Sequence, residues 1–321
     1  MKTLAIALLL LLPTTVFAGS PSFSVFRTPP SLGGAHYFSL SEGQPLKRGE
    51  LQVLNFWSYQ HRPLSIVSRA GIATDVIDGM VATHFGVHFG MVDAWSVGVD
   101  LPIAVWERFT QVGDTQASNT YGLGDLLLRT NINLRRGAFA FALQPLITIP
   151  TNNGALYLGA NRLTFGGDAV IEYLPSAQFS AAFNLGYHAL PDVTIGDAHS
   201  DDELRLGLGM SYLVADPWRI FIETTGRATL DEFGKNRHSM VDVMAGFHVP
   251  IAHHFQWTTA IGRSFLNGVG SPEIHGVTGI RLTMSMVKEK SKPQEITLPP
   301  PRPHPSGPPR KPVPRRFLPI R

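Results

Sequence analysis

The stretch Tyr121–Pro150 reads YGLGDLLLRTNINLRRGAFAFALQPLITIP, and it holds two runs of strand length joined by a tight basic turn at Arg135–Gly137. Apolar side chains alternate with polar ones in the first run, and large apolar side chains alternate with small or polar ones in the second. Successive side chains of a strand point to opposite sides, so each run has one oily face and one small or polar face. A soluble sandwich buries its oily face, whereas a membrane barrel turns that face to lipid around a polar lumen.

The same pattern recurs along the chain in runs close to the roughly 9–11 residues that a tilted strand needs to cross a bilayer. Links after even-numbered runs are short and links after odd-numbered runs are long, as in outer-membrane barrels with short periplasmic turns and long external loops. The sequence therefore predicts an all-β fold, a transmembrane antiparallel up-and-down β-barrel of about 12 strands over residues 49–287 in the outer membrane. The runs lie at about 49–59, 77–89, 93–105, 121–134, 137–149, 163–173, 178–188, 202–213, 217–227, 240–249, 254–264 and 275–286.

Charged side chains fall on the face opposite the oily one. Mixed charges at this density are costly in lipid and natural in a wet or salt-bridged lumen. Groups such as Asp125 with Arg129, and Glu223 with Arg219 and Arg227, fit a charge network in the lumen better than a catalytic acid–base pair. Glycines on the same face, such as Gly207 and Gly209, would relieve crowding in a narrow barrel. The predicted lumen-lining residues are Asp100, Asp125, Arg129, Asp168, Glu172, Arg205, Arg219, Glu223, Arg227, Asp242 and Arg281.

The regions before the first run are of two kinds. Residues 1–18 combine a positive start, an apolar run and a small-x-small site, which predicts a secretory signal peptide and a mature chain beginning near Gly19. Residues 19–48 are rich in Pro, Gly and Ser and read as an irregular N-terminal lead-in. The chain has no cysteine, which excludes a disulfide framework and a Cys nucleophile.

The charge of the chain is divided between body and tail. Residues 19–287 carry 17 Lys and Arg against 22 Asp and Glu, whereas residues 288–321 carry 9 against 2. The tail is also rich in proline, so we expect a disordered periplasmic segment that cannot bury a core. It is either a solvated, stiff tail or a segment that binds an anionic partner, such as peptidoglycan, lipid head groups or an acidic periplasmic protein. The predicted anion-binding residues of the tail are Arg310, Lys311, Arg315 and Arg316.

Five segments carry a family resemblance: GGAHYFSL (33–40), SYQHRPL (58–64), WSVGVDLPIAV (95–105), YGLGDLLLRTNI (121–132) and LQPLITIPTNN (143–153). In that order they resemble the N-terminal barrel of OmpA-family outer-membrane proteins of the delta-proteobacterial type. The Gly-Leu-Gly-Asp and Pro-Thr pieces are also similar to those of outer-membrane transporters of the phenol-degradation meta-pathway. The resemblance implies an outer-membrane barrel and supplies no catalytic residues. It departs from the OmpA-family pattern after residue 287, where the basic tail stands in place of a peptidoglycan-binding domain.

Enzymatic and metal chemistry find little support in the sequence. On a strand His84 and His88 lie about 13 Å apart, too far to share one ion, and no hydrolase elbow or phosphate-binding loop is present. We predict no catalytic residue, no cofactor, no metal site and no nucleic-acid partner, with membrane lipid and lipopolysaccharide as the surroundings. The predicted function is a narrow pore or transporter, or a structural membrane protein with a charged lumen. Two alternatives remain: a lipid-modifying outer-membrane enzyme and a secreted β-sandwich binding module.

Overall fold

The computed structural model describes residues 22–67, 73–110, 118–152, 157–195, 198–231, 238–266 and 268–287. Among these residues, no helix has the length and apolar character that crossing a membrane would require. The predicted signal peptide and the basic tail lie outside the described residues. The strands are β1 (Glu50–Val67), β2 (Ala73–Val92), β3 (Trp95–Phe109), β4 (Ser118–Leu123), β5 (Leu126–Arg135), β6 (Phe139–Ile149), β7 (Thr164–Tyr173), β8 (Phe179–Ala189), β9 (Val193–Ile195), β10 (Ala198–Ser200), β11 (Glu203–Ala215), β12 (Trp218–Thr229), β13 (Ser239–Ala252), β14 (Phe255–Ser264) and β15 (Ile274–Ser285).

The strands form one closed antiparallel barrel. The sheet order is β2-β1-β15-β14-β13-β12-β11-β8-β7-β6-β5-β3-β4, and β2 also pairs with β3, so that the sheet meets itself. Both β4 and β5 pair with β3, and together they form a single wall strand interrupted at Gly124–Asp125. The wall therefore has twelve strands, which confirms the predicted fold class. Closure pairs every wall strand on both sides, as backbone groups in hydrocarbon require.

The alternation of side chains along each strand sorts them between outside and inside. On β11, Met210 and Tyr212 are 53% and 50% exposed, whereas Ser211 between them is 2% exposed. On β12, Ile220 and Ile222 face outward in the same way. Aromatic side chains near the short turns are also exposed, which fits a girdle at the membrane interface. These are Trp95, Tyr173, Tyr212 and Trp218.

The two ends of the wall meet at the short-turn side. The strands β1 and β15 pair from Glu50 opposite Ser285 to His61 opposite Ile274. The amide of Gly49 donates to the Gly90 carbonyl at 2.7 Å, and the Met286 amide donates to the Gly49 carbonyl at 2.7 Å. The chain before β1 therefore approaches the barrel from the side of the short turns. On the long-loop side, β9 and β10 form a separate two-stranded hairpin.

Candidate functional site

Residues 22–48, here called the N-terminal segment, lie inside the barrel. The apolar side chains of this segment are almost completely buried, although the segment has hardly any regular structure. Near the short-turn side, the Gly43 amide donates to Glu172 of the wall at 2.9 Å. Near the long-loop side, the Ser22 amide donates to the Ala160 carbonyl at 3.4 Å. The segment therefore runs along the lumen from one side of the barrel to the other.

A single buried carboxylate holds the middle of the segment. Glu223 on β12 is 2% exposed, and its oxygens accept the backbone amides of Phe38, Ser39 and Leu40 at 3.1, 3.0 and 3.5 Å. The Ser39 hydroxyl also donates to Glu223 at 2.6 Å. Amides in an irregular chain have no sheet or helix partner, so this carboxylate satisfies three donors that burial would otherwise leave unpaired.

Wall arginines and amides satisfy the carbonyl groups of the segment. Arg129, Arg227 and Arg281 donate to the carbonyls of Pro30, Arg27 and Gly34 respectively. Asn131 and Gln144 both donate to the Glu42 carbonyl, at 2.9 and 3.0 Å. The polar inner face of the barrel therefore serves as the hydrogen-bond partner of a polypeptide, in addition to any contact with water.

An acidic pair and a histidine meet where the segment crosses the short-turn half. The Nδ1 atom of His36 lies 2.9 Å from Glu172, which also accepts the Ser180 hydroxyl at 2.8 Å. Burial alone would lower the pKa of His36, but the hydrogen bond to Glu172 and the charges of Glu42 and Glu172 outweigh it, so that this pKa is raised. Burial, reinforced by the charge of Glu172, raises the pKa of the Glu42 carboxyl. Both groups therefore respond to proton concentration within the buried segment.

Apolar contacts complete the fit of the segment. Phe38 packs into a cluster of wall side chains that includes Phe56, Phe221 and Met244. The wall has glycines where the side chains of the segment are large. A Cβ on Gly209 would lie 2.4 Å from Leu40 and 2.8 Å from Tyr37. A Cβ on Gly207 would lie 2.4 Å from Leu40. The inward glycines therefore make room for the segment, a reason for them that the sequence did not indicate.

Among the described residues, the charged residues that the sequence groups together do not pair with one another. Asp125 accepts the Ala160 amide at 2.6 Å, and Arg129 instead pairs with Asp100 of the neighbouring wall strand at 2.6 Å. Glu223 binds segment amides, while neither of the two arginines grouped with it bonds to it among the described residues. Residues four apart on one strand are about 13 Å apart, beyond ion-pair range, so partners come from adjacent strands or from the segment.

The structure places the remaining predicted lumen residues as follows. Asp168 accepts the Ser41 hydroxyl at 3.0 Å and lies 3.6 Å from Arg205. Arg219 donates to the Ala177 carbonyl at 2.7 Å, near a short turn. The other contacts are those of Arg227 with Glu203 at 3.7 Å, Asp242 with His275 and Ser264, both at 2.9 Å, and Arg281 with Gln256 at 3.1 Å.

A cavity remains in the long-loop half, between the segment and the wall. Its atom-free space, counted together with the solvent at its open side, is about 1030 Å³. Its apolar lining includes Phe23 and Phe26 of the segment and Leu127 and Leu146 of the wall. Its charged lining includes Arg27, Arg129, Arg205, Arg227, Asp100, Asp125 and Asp168. The cavity has the apolar lining with a few charged groups that is typical of small-molecule sites.

Sequence reasoning missed the buried charged residues of the segment, Arg27, His36 and Glu42, because an irregular stretch has no periodicity that assigns its side chains to a face. Their only signal was the presence of charged and aromatic residues in a Pro- and Gly-rich stretch. The tail residues Arg310, Lys311, Arg315 and Arg316 lie outside the described residues.

One cluster of metal-ligating groups lies in the described part of the long loops. Ligand atoms of His199, Asp201 and Asp231 lie within 4.8 Å of one another. His199 contacts Asp231 through Nε2 at 3.1 Å and Thr194 through Nδ1 at 3.0 Å. These contacts explain the arrangement as hydrogen bonding between two loops, and the expected absence of a metal site stays a prediction.

The barrel is closed, its outward belt is apolar and its interior is polar. Together these features define an outer-membrane β-barrel protein. The chain belongs to the family described as "MetA-pathway of phenol degradation", whose model matches residues 76–269, more than half of the chain. This match confirms the second of the two resemblances seen in the sequence, whereas the OmpA-type resemblance stays a prediction. None of the curated protein sequences matches the chain significantly.

Solved structures resemble the chain at low sequence identity, and the first of those that follow shows the same fold. An outer membrane channel from Pseudomonas putida F1 is 14% identical with a TM-score of 0.58, and the match covers 76% of this chain and 99% of that one. The NanC porin is 9% identical with a TM-score of 0.48, covering 73% and 100% of the two chains. The CymD monoaromatic hydrocarbon channel is 10% identical with a TM-score of 0.40, covering 76% and 90%.

Proposed function

We propose that the protein is an outer-membrane channel for small organic molecules, with the lumen cavity as its path and the N-terminal segment as its gate. The observation that carries this proposal is a cavity inside a closed barrel, lined by both the segment and the wall and partly open to solvent. A barrel with a purely structural role gains nothing from leaving such a space beside a well-packed segment. Solutes entering from the long-loop side would reach the cavity between the segment and the wall.

The solutes that we propose are small and largely apolar, and the family description supports an aromatic class by naming phenol degradation. The apolar lining of the cavity, with Phe23, Phe26 and Leu146, suits an aromatic ring. Aromatic side chains pack against such rings in offset or edge-on arrangements. Polar groups of the cavity would orient the substituents of the ring.

Passage to the short-turn side requires the segment to shift, because its side chains fill that half of the lumen. Tyr37 and Leu40 are 0% and 2% exposed there. The contacts that hold them are hydrogen bonds and packing, with no covalent link, so they can break and re-form. A gate of this kind opens when docking of the segment is weakened and closes when docking is restored.

We propose no catalytic role for the chain. The inner-face histidines are engaged in structural contacts: His88 lies 3.0 Å from Asp100, and His248 lies 2.7 Å from Thr258. A lipid-modifying enzyme would need such groups on the lipid-facing wall. As roles outside the barrel, we propose contact of the outward belt with lipid and lipopolysaccharide, and binding of the basic tail to peptidoglycan or an acidic periplasmic partner.

The test is single-channel recording with the purified full chain in planar bilayers. We expect small conductance steps that are interrupted when an aromatic solute is added, because a solute in the cavity obstructs ions. A variant lacking residues 22–43 is the matched comparison, and its conductance should be severalfold larger. Silent bilayers with both proteins, each shown to be folded by heat-modifiable gel migration, would overturn the proposal.

A further inference from the structure

Three guanidinium groups meet in the lining of the lumen cavity. Arg27 comes from the N-terminal segment, Arg205 from β11 and Arg227 from β12. Arg205 and Arg227 are direct partners in the ladder between β11 and β12. Cross-strand partners point to the same face, so their side chains project together into the lumen. Arg227 also donates to the backbone carbonyl of Arg27, which holds the third arginine beside them.

The carboxylates around these three arginines do not balance their charge. Within the described residues, Glu203 and Asp168 are the acids that pair with them. Only the pair of Arg27 with Glu203, at 2.9 Å, has hydrogen-bond length. Arg227 lies 3.7 Å from Glu203 and Arg205 lies 3.6 Å from Asp168. Two carboxylates against three guanidinium groups leave one positive charge in a largely desolvated place, which is costly without a further anion.

The other acidic side chains lining the cavity are engaged elsewhere. Asp100 is bound by Arg129 at 2.6 Å and by His88 at 3.0 Å. Asp125 accepts the Ala160 amide at 2.6 Å. Neither of them is an ion-pair partner of the arginine cluster within the described residues.

A second, independent observation is an unpartnered donor within the cluster. The Arg27 side chain is 6% exposed, and its Nε atom is buried with no hydrogen-bond partner among the described residues. Buried donors in native proteins are nearly always satisfied. A guanidinium group recognises a carboxylate through two parallel hydrogen bonds, often through Nε and one terminal nitrogen. Because Oε2 of Glu203 in the same cluster is also buried without a hydrogen-bond partner, the free donor indicates an anionic ligand only together with the excess of guanidinium groups over paired carboxylates.

We propose that Arg27, Arg205 and Arg227 form a carboxylate-binding subsite, so that the channel takes small aromatic or other apolar carboxylates. The inference rests on the proposed channel function and names its substrate class. The carboxylate would lie among the three guanidinium groups, and the apolar body would extend toward Phe26 and Leu146 of the cavity lining. Because Arg27 belongs to the segment, a bound carboxylate would compete with Glu203 for one of the contacts that hold the gate.

The test is isothermal titration calorimetry of the detergent-purified full chain with benzoate and with benzyl alcohol, which has the ring but no charge. We expect benzoate to bind at least tenfold more tightly than benzyl alcohol, and Arg205→Gln to abolish that preference. Arg205 is the first choice because its existing ion pair is long, so that losing it costs the fold little. Arg205→Lys keeps the charge without the planar fork and should retain only part of the preference.

The matched control is Arg62→Gln, which removes an exposed arginine that pairs with Asp75 and Glu273 outside the cavity. This variant should bind benzoate as the native chain does. Equal binding of benzoate and benzyl alcohol by the native chain, or an unchanged preference in Arg205→Gln, would overturn the subsite. In either case a chain that still conducts in bilayers leaves the channel function standing, so the two proposals fail separately.

Discussion

Glu223 shows how one side chain can organise an irregular polypeptide. A carboxylate has about four acceptor positions, and here three backbone amides and one hydroxyl approach them. Each such charge-assisted bond contributes on the order of 1.5–3 kcal/mol when its partners are otherwise buried. Docking of the segment therefore depends strongly on a single residue of β12.

We expect Glu223→Gln to weaken docking, because the amide offers fewer acceptor positions and turns a donor toward backbone amides. Losing about 1.5 kcal/mol would raise the undocked fraction about tenfold. Open-state occupancy in planar bilayers measures this change. Glu273→Gln, which alters a carboxylate at 48% exposure on the long-loop side, should behave like the native chain. Equal occupancy in both variants would contradict the role of Glu223.

The ion pairs show where prediction from the sequence ends at this scale. The face of each charged residue followed from counting alternate positions, but the partners did not. Arg129 pairs with Asp100 on the neighbouring strand, and register between strands cannot be read from one sequence. Arg227 and Arg281 donate to carbonyls of the segment, and the location of that segment was unknown.

At the scale of elements, the N-terminal segment was the least predictable part of the chain. A strand can be predicted from the alternation of its apolar and polar residues. Residues 22–48 show no such alternation and form few regular hydrogen bonds. The inward glycines of the wall, such as Gly207 and Gly209, reflect the presence of the segment in the sequence. A Cβ on either glycine would lie against Leu40. From the sequence alone, a narrow barrel explains these glycines equally well.

The segment should dock more tightly at low pH. The raised pKa of His36 means that its protonation stabilises docking fully in acid, and this stabilisation is lost as the pH rises through the raised value. Burial raises the pKa of Glu42, so its ionisation at higher pH also disfavours the docked state. His36 faces Tyr37, Glu42, Glu172 and Arg219. We expect open-state occupancy to rise above about pH 6.5, the ordinary pKa of a histidine, as the pH passes through the raised value of His36.

The control for this pH profile is His36→Gln, which should flatten it, because the largest change of charge in the segment is removed. His254→Gln alters an exposed histidine in a short turn and should leave the profile as it is. Open-state occupancy that falls with rising pH in the native chain would contradict the stabilisation of docking by protonated His36.

A disulfide can test whether the segment must move. The native chain has no cysteine, so a single engineered pair is unambiguous. A Cβ on Gly43 would lie 2.8 Å from the Cβ of Ala140, slightly closer than the roughly 3.5–4.5 Å that a disulfide needs. We expect Gly43→Cys with Ala140→Cys to cross-link on oxidation and to remove channel openings, and dithiothreitol to restore them. Each single variant is a control, and openings that persist after complete cross-linking would exclude the segment as the gate.

At the scale of the whole molecule, the barrel is a property of the alternating pattern. All twelve wall strands were predicted from the sequence, because lipid outside and polar groups inside impose the same rule on every strand. The separate hairpin of β9 and β10 lies in a loop, where this rule does not apply, and it was not predicted. Insertion of the barrel into the membrane therefore depends on many equivalent outward positions. The free-energy cost of a charged substitution at one of them depends on its depth in the bilayer.

We expect Leu208→Arg to impair assembly more than Ile251→Arg. Both side chains are outward, at 59% and 60% exposure, but Leu208 lies near the middle of β11 and Ile251 beside a short turn. A charge at the bilayer midplane costs about 2–4 kcal/mol, against about 0–1 kcal/mol near the interface. The folded fraction in lipid vesicles over a urea series, read from heat-modifiable gel migration, measures the difference. Equal midpoints would show that Leu208 does not contact hydrocarbon.

The seam between β1 and β15 constrains the biogenesis of the protein. The stretch that occupies the lumen immediately precedes β1, and the cylinder is complete only when β1 has zipped to β15, the last strand to be synthesised. Inserting Phe23, Tyr37 and Phe38 into a closed barrel would require these bulky aromatic side chains to pass wall side chains that leave them almost no space. We expect the N-terminal segment to be enclosed before β1 pairs with β15. The segment would then dock first and the barrel would close afterwards.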